Sequence, residues 1–440
     1  MRLWAKCWKE RNDMLKILRR GETPDAELVR REANSANVTD TVAAIIADVR
    51  ENGDAALMAY NAKFDRAEGV ALEVTPEEMD AAYAAAGPEL IKVMELAAEN
   101  IRAFHEKQLS HGYMMTGKNG SILGQRVIPL KRVGLYIPGG TAAYPSSVLM
   151  NCIPAKIAGV DEIVMTTPAS GGSVSDAILA AAKIAGVGRV FRVGGAQAVA
   201  ALAYGTETVP QVDKIVGPGN AFVAEAKRQV FGRVAIDMIA GPSEILVVSD
   251  GKSDPKWIAA DLLSQAEHDR LATAILITDS MELAAAVQAE VERQLSVLPR
   301  EEIARAAIEA NGKIIVVSSL DEAVEMANAV APEHLELAVD APFDFLPKVR
   351  NAGSIFLGRY CPEPLGDYLS GTNHTLPTMG TARFSSPLGV EDFVKRSYFS
   401  YYTADALEAV ADAAAIFADA EGLHGHAVSA TARRNGGEGK

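Results

Sequence analysis

The sequence predicts an α/β protein built from two doubly wound parallel-sheet domains, with a helical N-terminal region and a helical C-terminal tail. Three observations predict it. From about Gly124 onward, short β-rich runs alternate with Ala-rich stretches of helical length, the signature of βαβ crossovers and parallel sheets. Before that point the apolar residues recur at helical spacing. At 440 residues the chain also exceeds what one hydrophobic core supports, so two or more domains are expected.

Taken in order, Asn37–Tyr60 carries Val42, Ile45, Ile46, Val49, Ala56 and Leu57 on one helical face, and Pro88–His105 is patterned likewise. Residues 1–129 are therefore expected to be a helical region, packing on the second α/β domain. The first α/β series places a strand at Glu162–Thr166 before a helix through Ile178–Ile184. A strand at Val190–Val193 precedes Gln197–Tyr204, and Lys214–Val216 precedes Ala221–Val230. The second series runs through Glu244–Val248, Ala274–Ile277, Ile314–Val317 and Ser354–Leu357, with helices between. The boundaries expected are 130–240 for the first Rossmann-like domain and 241–380 for the second. Residues 381–440 form the helical tail, with Arg434–Lys440 disordered.

Composition narrows the function classes. A net charge of −14 opposes non-specific binding to nucleic acid, whose phosphates it repels. The apolar content of 49% and charged content of 23% are those of an ordinary globular protein. No run approaches the ~18 apolar residues of a membrane span. Met1–Glu10 lacks the apolar core of a signal peptide, which points to the cytoplasm. Cys7, Cys152 and Cys361 are too few and too scattered for a disulfide framework or a thiolate metal site.

Ligands in doubly wound sheets bind at the carboxyl ends of strands, and Gly-rich turns are expected there. They are Pro138-Gly139-Gly140-Thr141, Gly194-Gly195-Ala196-Gln197, Gly217-Pro218-Gly219-Asn220 and Ala240-Gly241-Pro242-Ser243. Glycine lets backbone approach a phosphate or ribose closely, although none of the four completes the G-x-G-x-x-G fingerprint. Gly112–Lys118 fits G-x-x-x-x-G-K, but Asn119 stands where a P-loop needs a hydroxyl and no apolar strand precedes it, so it is a decoy.

Five of the 7 histidines fall in four polar clusters of the second half, each beside a carboxylate or amide, the mixture a zinc site with proton-transfer groups needs. In Gln265-Ala266-Glu267-His268, the amide and imidazole are three apart near the end of a helix opened by Asp254 as N-cap and Pro255. Pro332-Glu333-His334 joins a helix to a strand, where neighbours point to opposite sides and two separate bases become available. Gly366-Asp367 and Asn373-His374 lie in a long polar loop after a strand. Glu421, His424 and His426 lie near the chain's end and need the tail to fold back or to enter a partner subunit.

Together with Tyr136-Ile137-Pro138-Gly139-Gly140, Ala240-Gly241-Pro242-Ser243-Glu244 and Asn373-His374-Thr375-Leu376-Pro377-Thr378, these motifs closely resemble the histidinol dehydrogenase family, from about Ala44 to His426. The resemblance implies a zinc-dependent enzyme that oxidises L-histidinol to L-histidine through L-histidinaldehyde, using two NAD in turn. It implies zinc on Gln265, His268, Asp367 and His426, with Glu333 and His334 as the proton-transfer pair. It further implies substrate contacts from Ser243, His374 and Glu421, alongside Gln265, His268, His334, Asp367 and His426. Tyr136, Gln197 and Asn220 are implied dinucleotide contacts. The implied assembly is a homodimer in which each tail completes the other subunit's site. One departure is Gly371-Thr372-Asn373-His374-Thr375, where Gly-Pro-Asn-His-Val is also frequent. It leaves as the alternative a related zinc- and NAD-dependent dehydrogenase of another small alcohol, such as a sulfonated diol.

The chemistry suits the residue types. Alcohol oxidation needs a base for the hydroxyl proton, and the aldehyde step needs a base to activate water, so His334 and Glu333 divide naturally. Cys152 offers a thiohemiacetal route, but its apolar surroundings are those of an inert cysteine. From other classes, a zinc hydrolase would use the same ligands without needing the Gly-rich turns, and a non-catalytic binding protein would not need the bases.

Overall fold

The computed structural model describes residues 15–29, 37–139 and 143–434. Cys7, the segment Met1–Glu10 on which the signal-peptide reading rests, Gly140, Thr141 and the final residues 435–440 lie outside it. The chain forms two compact units, one of Met1–Gln108 with Lys131–Phe393, the other of Leu109–Leu130 with Val394–Lys440.

The larger unit holds two six-stranded sheets. The first runs Glu73–Val74, Arg189–Arg192, Glu162–Thr167, Arg132–Tyr136, Lys214–Val216, Ala235–Ile236. It is parallel apart from its antiparallel edge strand Glu73–Val74. The second runs Lys16–Arg19, Lys313–Val316, Thr273–Thr278, Glu244–Ser249, His334–Ala338, Ser354–Leu357 and is parallel throughout. Strand order reverses beside Glu244–Ser249 in the second sheet, as in doubly wound folds. The expected fold class holds.

Two expectations about the N-terminal region do not. The helix Thr39–Tyr60 packs on the first sheet: Val42, Ile45, Ile46, Val49, Ala56 and Leu57 share one core with Val164, Phe191, Val199 and Val223. The helices Pro76–Ala85 and Pro88–His105 lie against Asp176–Ala185 and Pro145–Ala158, which also flank the first sheet. The helices of residues 39–105 therefore cover the first α/β domain, while Leu15 and Leu28 are buried in the cores of the second. An apolar stripe requires a partner surface but does not say which of two similar sheets provides it. The region is also not wholly helical, since Lys16–Arg19 extends the second sheet and Glu73–Val74 the first.

The smaller unit contains an antiparallel sheet ordered Val394–Tyr401, Ile122–Pro129, Tyr113–Thr116. Helices Ala404–Glu408, Ala411–Ala420 and His424–Thr431 follow. The tail carries its expected helices, preceded by the strand Val394–Tyr401 that the expectation did not include. Tyr398, Phe399 and Tyr401 supply the aromatic β-propensity of its strand. The decoy Gly112–Lys118 falls in the Tyr113–Thr116 strand and the start of the single 3-10 turn Lys118–Gly120, with no α-helix following. Among the described residues, no helix is long and apolar enough to cross a membrane.

Candidate active site

The site forms where two neighbouring strands of the second sheet begin. Ile245 is paired with His334 across the ladder, so Glu244, Glu333 and His334 gather at the amino ends of these strands. The expectation of function at carboxyl ends fails here. Helix Pro255–Ala266, capped by Asp254 accepting from the Lys256 N–H, runs back against its strand. That return delivers Gln265 and His268 to the same edge, and the His268 N–H donates to the Gln265 carbonyl at 3.1 Å in a tight closing turn.

Glu333 and Glu244 exchange bonds. The Glu244 N–H donates to Glu333 Oε2 at 2.9 Å, and the Glu333 N–H donates to Glu244 Oε2 at 3.3 Å. His334 Nδ1 lies 2.9 Å from the Glu244 carbonyl oxygen, which must accept, so Nδ1 carries a proton, while Nε2 is buried and faces the carboxylates of Glu363 and Asp367. The expectation that adjacent residues point oppositely meets a different geometry. The strand begins only at His334, after Ala331 adopts a left-handed conformation (φ 51°), and Glu333 Oε2 sits 3.6 Å from His334 Nδ1.

Asp367 and Glu363 stand four apart on the short helix Glu363–Tyr368 and share a face. Each places a carboxylate oxygen 3.8 Å from His334 Nε2, too far for a direct hydrogen bond. Asp367 Oδ1 is also 3.8 Å from His374 Nδ1. His374 Nε2 lies 3.1 Å from Ser147 Oγ, on the helix that follows the first sheet's strand Arg132–Tyr136. The carboxyl side of the first sheet thereby meets the amino side of the second.

Electrostatics sort these groups. Burial pushes the Glu333 carboxyl up to about 8, against the opposing pull of His334. Burial and the neighbouring Asp367 carry Glu363 up to about 7. Burial alone would lower His334, but Glu333, Asp367 and Glu363 outweigh it and raise the imidazole to about 10. Burial likewise opposes ionisation of Asp367, yet His334 and His374 hold that carboxyl well below the usual carboxylate range. Burial lowers His268 and His374, favouring neutral imidazoles. Behind Glu363, its N–H donates to Glu336 Oε1 at 2.7 Å, and Glu336 is paired with Asp261.

Two groupings could hold a cation. His334, Glu363 and Asp367 offer ligand atoms within 4.8 Å of one another. The set implied by the sequence shares Asp367 with them and adds Gln265 and His268. It fits zinc by donor chemistry: an ionised carboxylate, a neutral imidazole and a buried amide whose carbonyl oxygen can ligate. His426 and Glu421 belong to the smaller unit, exposed at the start of helix His424–Thr431 and just before it; His424 is engaged with Asp419 at 3.0 Å.

The remaining sequence-implied residues divide. Ser243 immediately precedes strand Glu244–Ser249, its carbonyl accepting from the Thr273 N–H at 3.0 Å. Tyr136, at the end of its strand, is buried and its hydroxyl accepts from the Gly195 N–H at 3.1 Å. Gln197 is buried in the first turn of helix Gly195–Tyr204. Asn220 caps helix Ala221–Val230, its Oδ1 accepting from the Phe222 and Val223 N–H groups. Cys152 is fully buried and its thiol is pushed up to about 12, which suits the inert reading. Glu363 and Glu244 are not among the residues singled out from sequence; Glu363 comes into view only once the helix Glu363–Tyr368 aligns it with Asp367.

Comparison with known proteins decides the family. The histidinol dehydrogenase family model matches residues 28–434. The chain belongs to the histidinol dehydrogenase family. It is 55% identical over 414 residues to the histidinol dehydrogenase of Geobacter metallireducens, covering 93% of this chain and 95% of that one. It is 54% identical over 405 residues to that of Clostridium acetobutylicum, covering 92% and 94%. The crystal structure of histidinol dehydrogenase from Elizabethkingia anophelis superposes with a TM-score of 0.91 at 37% identity, covering 96% of this chain and 98% of that one.

Proposed function

We propose that this family member, an oxidoreductase of histidine biosynthesis, converts L-histidinol to L-histidine through L-histidinaldehyde with two molecules of NAD. The observation that carries the reading is the convergence of Glu333, His334, Asp367 and His374 at one buried edge, in a chain about 55% identical to curated histidinol dehydrogenases. That identity also favours histidinol over another small alcohol.

Zinc is assigned to Gln265, His268, Asp367 and His426, where when bound it supplies a positive charge that orients the amino alcohol. NAD supplies the hydride acceptor, with Tyr136, Gln197 and Asn220 on its side of the site. His334 takes the alcohol proton at Nε2, because Nδ1 is held by the Glu244 carbonyl; a cation on Asp367 would relieve the carboxylate pull that otherwise keeps the imidazole protonated and so free Nε2 to accept. Glu333, raised by burial toward neutrality, takes the proton of the water that adds to the aldehyde. Ser243, His374 and Glu421 complete the substrate contacts. On the family resemblance we assign His426 and Glu421 to the partner's site in a cytoplasmic homodimer. Exposed Tyr398, Tyr401, Ile416 and Phe417 on the smaller unit suit an apolar interface.

The test follows NADH formation with L-histidinol, and with a panel of small diols, before and after chelation. Activity on histidinol that disappears with the metal and returns with zinc is expected. Activity unchanged by complete metal removal would overturn the zinc assignment, and preference for a diol would overturn the substrate.

A further inference from the structure

The turn Gly217-Pro218-Gly219-Asn220 is tied down by a buried ion pair. Lys227 and Asp237 form a salt bridge with side chains only 2% and 1% exposed. Both also grip one residue of the turn. Lys227 Nζ donates to the Gly217 carbonyl at 2.9 Å, and the Gly217 N–H donates to Asp237 Oδ2 at 2.7 Å. The second oxygen of Asp237 meets the ammonium and accepts from the Met238 N–H at 2.6 Å. Strand Lys214–Val216 ends immediately before Gly217, so this peptide has left the ladder and would otherwise lose its partners.

The turn leaves no room for adjustment. Gly217 has φ +115°, and a Cβ there would stand 2.1 Å from the Tyr136 carbonyl oxygen; one on Gly219 would stand 2.4 Å from Val223. Asn220 then starts the helix on which Lys227 lies two turns later. A buried ion pair is a costly way to fill a core, because apolar residues of equal volume hold a fold as well or better. Here the pair does what apolar residues cannot, satisfying both backbone polar groups of Gly217 and so fixing the orientation of the two peptide planes that meet there.

We propose that Lys227 and Asp237 are positioning residues for the dinucleotide, a clamp that holds Gly217–Asn220 in its binding conformation. The inference rests on the reading of Tyr136, Gln197 and Asn220 as the NAD side of the site. Removing one partner strands the other as an unpaired buried charge and endangers the fold. The informative variants are therefore the double Lys227→Met/Asp237→Leu, which removes both charges together, and Asp237→Asn, which removes the carboxylate charge but keeps an acceptor so that the Lys227 ammonium is not left without a hydrogen-bond partner.

Zinc-loaded dimers of each variant are titrated with NAD by calorimetry and assayed for both KM values. The double variant is expected to bind NAD about tenfold or more weakly, the scale of losing a charge-assisted hydrogen bond, and Asp237→Asn less so. The KM for histidinol and the zinc content should not move, whereas general loosening would shift both. Unchanged NAD affinity in the double variant, or in Asp237→Asn should the double fail to fold, overturns the clamp. Gln197→Ala and Asn220→Ala separate the levels: if these also leave NAD affinity intact, the assignment of the dinucleotide to this edge falls too, whereas weakening there alone condemns only the clamp.

Discussion

Asp261→Asn should make the protein more stable, and increasingly so as pH rises. Asp261 lies beside Glu336, itself buried and held well above the ordinary range by burial and by Asp261. Burial pushes Asp261 from 3.8 up to about 6. A carboxyl raised in the folded state contributes stability that is fully present below its unfolded value and lost as pH climbs through the folded one. The shift from 3.8 to about 6, at ~1.36 kcal/mol per pH unit, makes the loss about 3 kcal/mol. It falls between about pH 4 and about pH 7. Asparagine keeps the shape, can donate to Glu336, and has no proton to lose. For a cooperative unit of 440 residues, at ~2.1 cal/mol/K per residue, that energy is worth about 3 °C in Tm. Scanning fluorimetry of wild type and Asp261→Asn across this range should show curves that meet in acid and separate by about that amount above neutrality. Parallel curves would show that Asp261 ionises freely in the native protein and would refute the reasoning.

Three further outcomes are expected. His268→Ala and His426→Ala should each lose zinc and activity while staying folded, and mixing the two should restore activity at one site per heterodimer; no recovery after verified subunit exchange would count against shared sites. Glu363→Gln should keep its zinc if the ligands are Gln265, His268, Asp367 and His426; loss of metal would instead favour the grouping of His334, Glu363 and Asp367. Glu333→Gln should slow the aldehyde step and His334→Asn the alcohol step, each by about 10²–10⁴-fold, measured by supplying alcohol and aldehyde separately; equal losses of both steps in Glu333→Gln would defeat the division.

Much of this was legible in the chain, for reasons that differ by element. Helix Pro255–Ala266 announces itself through Asp254 and Pro255, and strand Glu244–Ser249 through its apolar run, because those signals are local. The strand Val394–Tyr401 gave no alternation to read: nearly every residue in it is exposed within its unit, so no buried face marks every second position. The edge at which the site forms was also hidden. Whether Glu244 and His334 stand at the amino or carboxyl end of paired strands depends on where each strand begins, and His334 is the first residue of its own. Glu363 escaped for a simpler reason, since a lone glutamate between Pro362 and Pro364 carries no signal until the helix aligns it with Asp367.

Charge balance explains why such a site suits a cation. Glu333, Glu336, Glu363 and Asp261 crowd one partly enclosed region, and burying that many carboxylates unpaired is expensive. Without a cation the region resolves the conflict by protonation, with Glu333 raised to about 8, Glu363 to about 7 and Asp261 to about 6. Asp367 alone among the group is driven the other way, held ionised by His334 and His374. The one carboxylate kept charged is the one both candidate metal groupings share. A glutamate near neutrality can give or take a proton with little cost, whereas a permanently ionised aspartate is suited to hold charge. The same surplus of negative groups therefore separates the residue fitted to bind metal from the residue fitted to move protons.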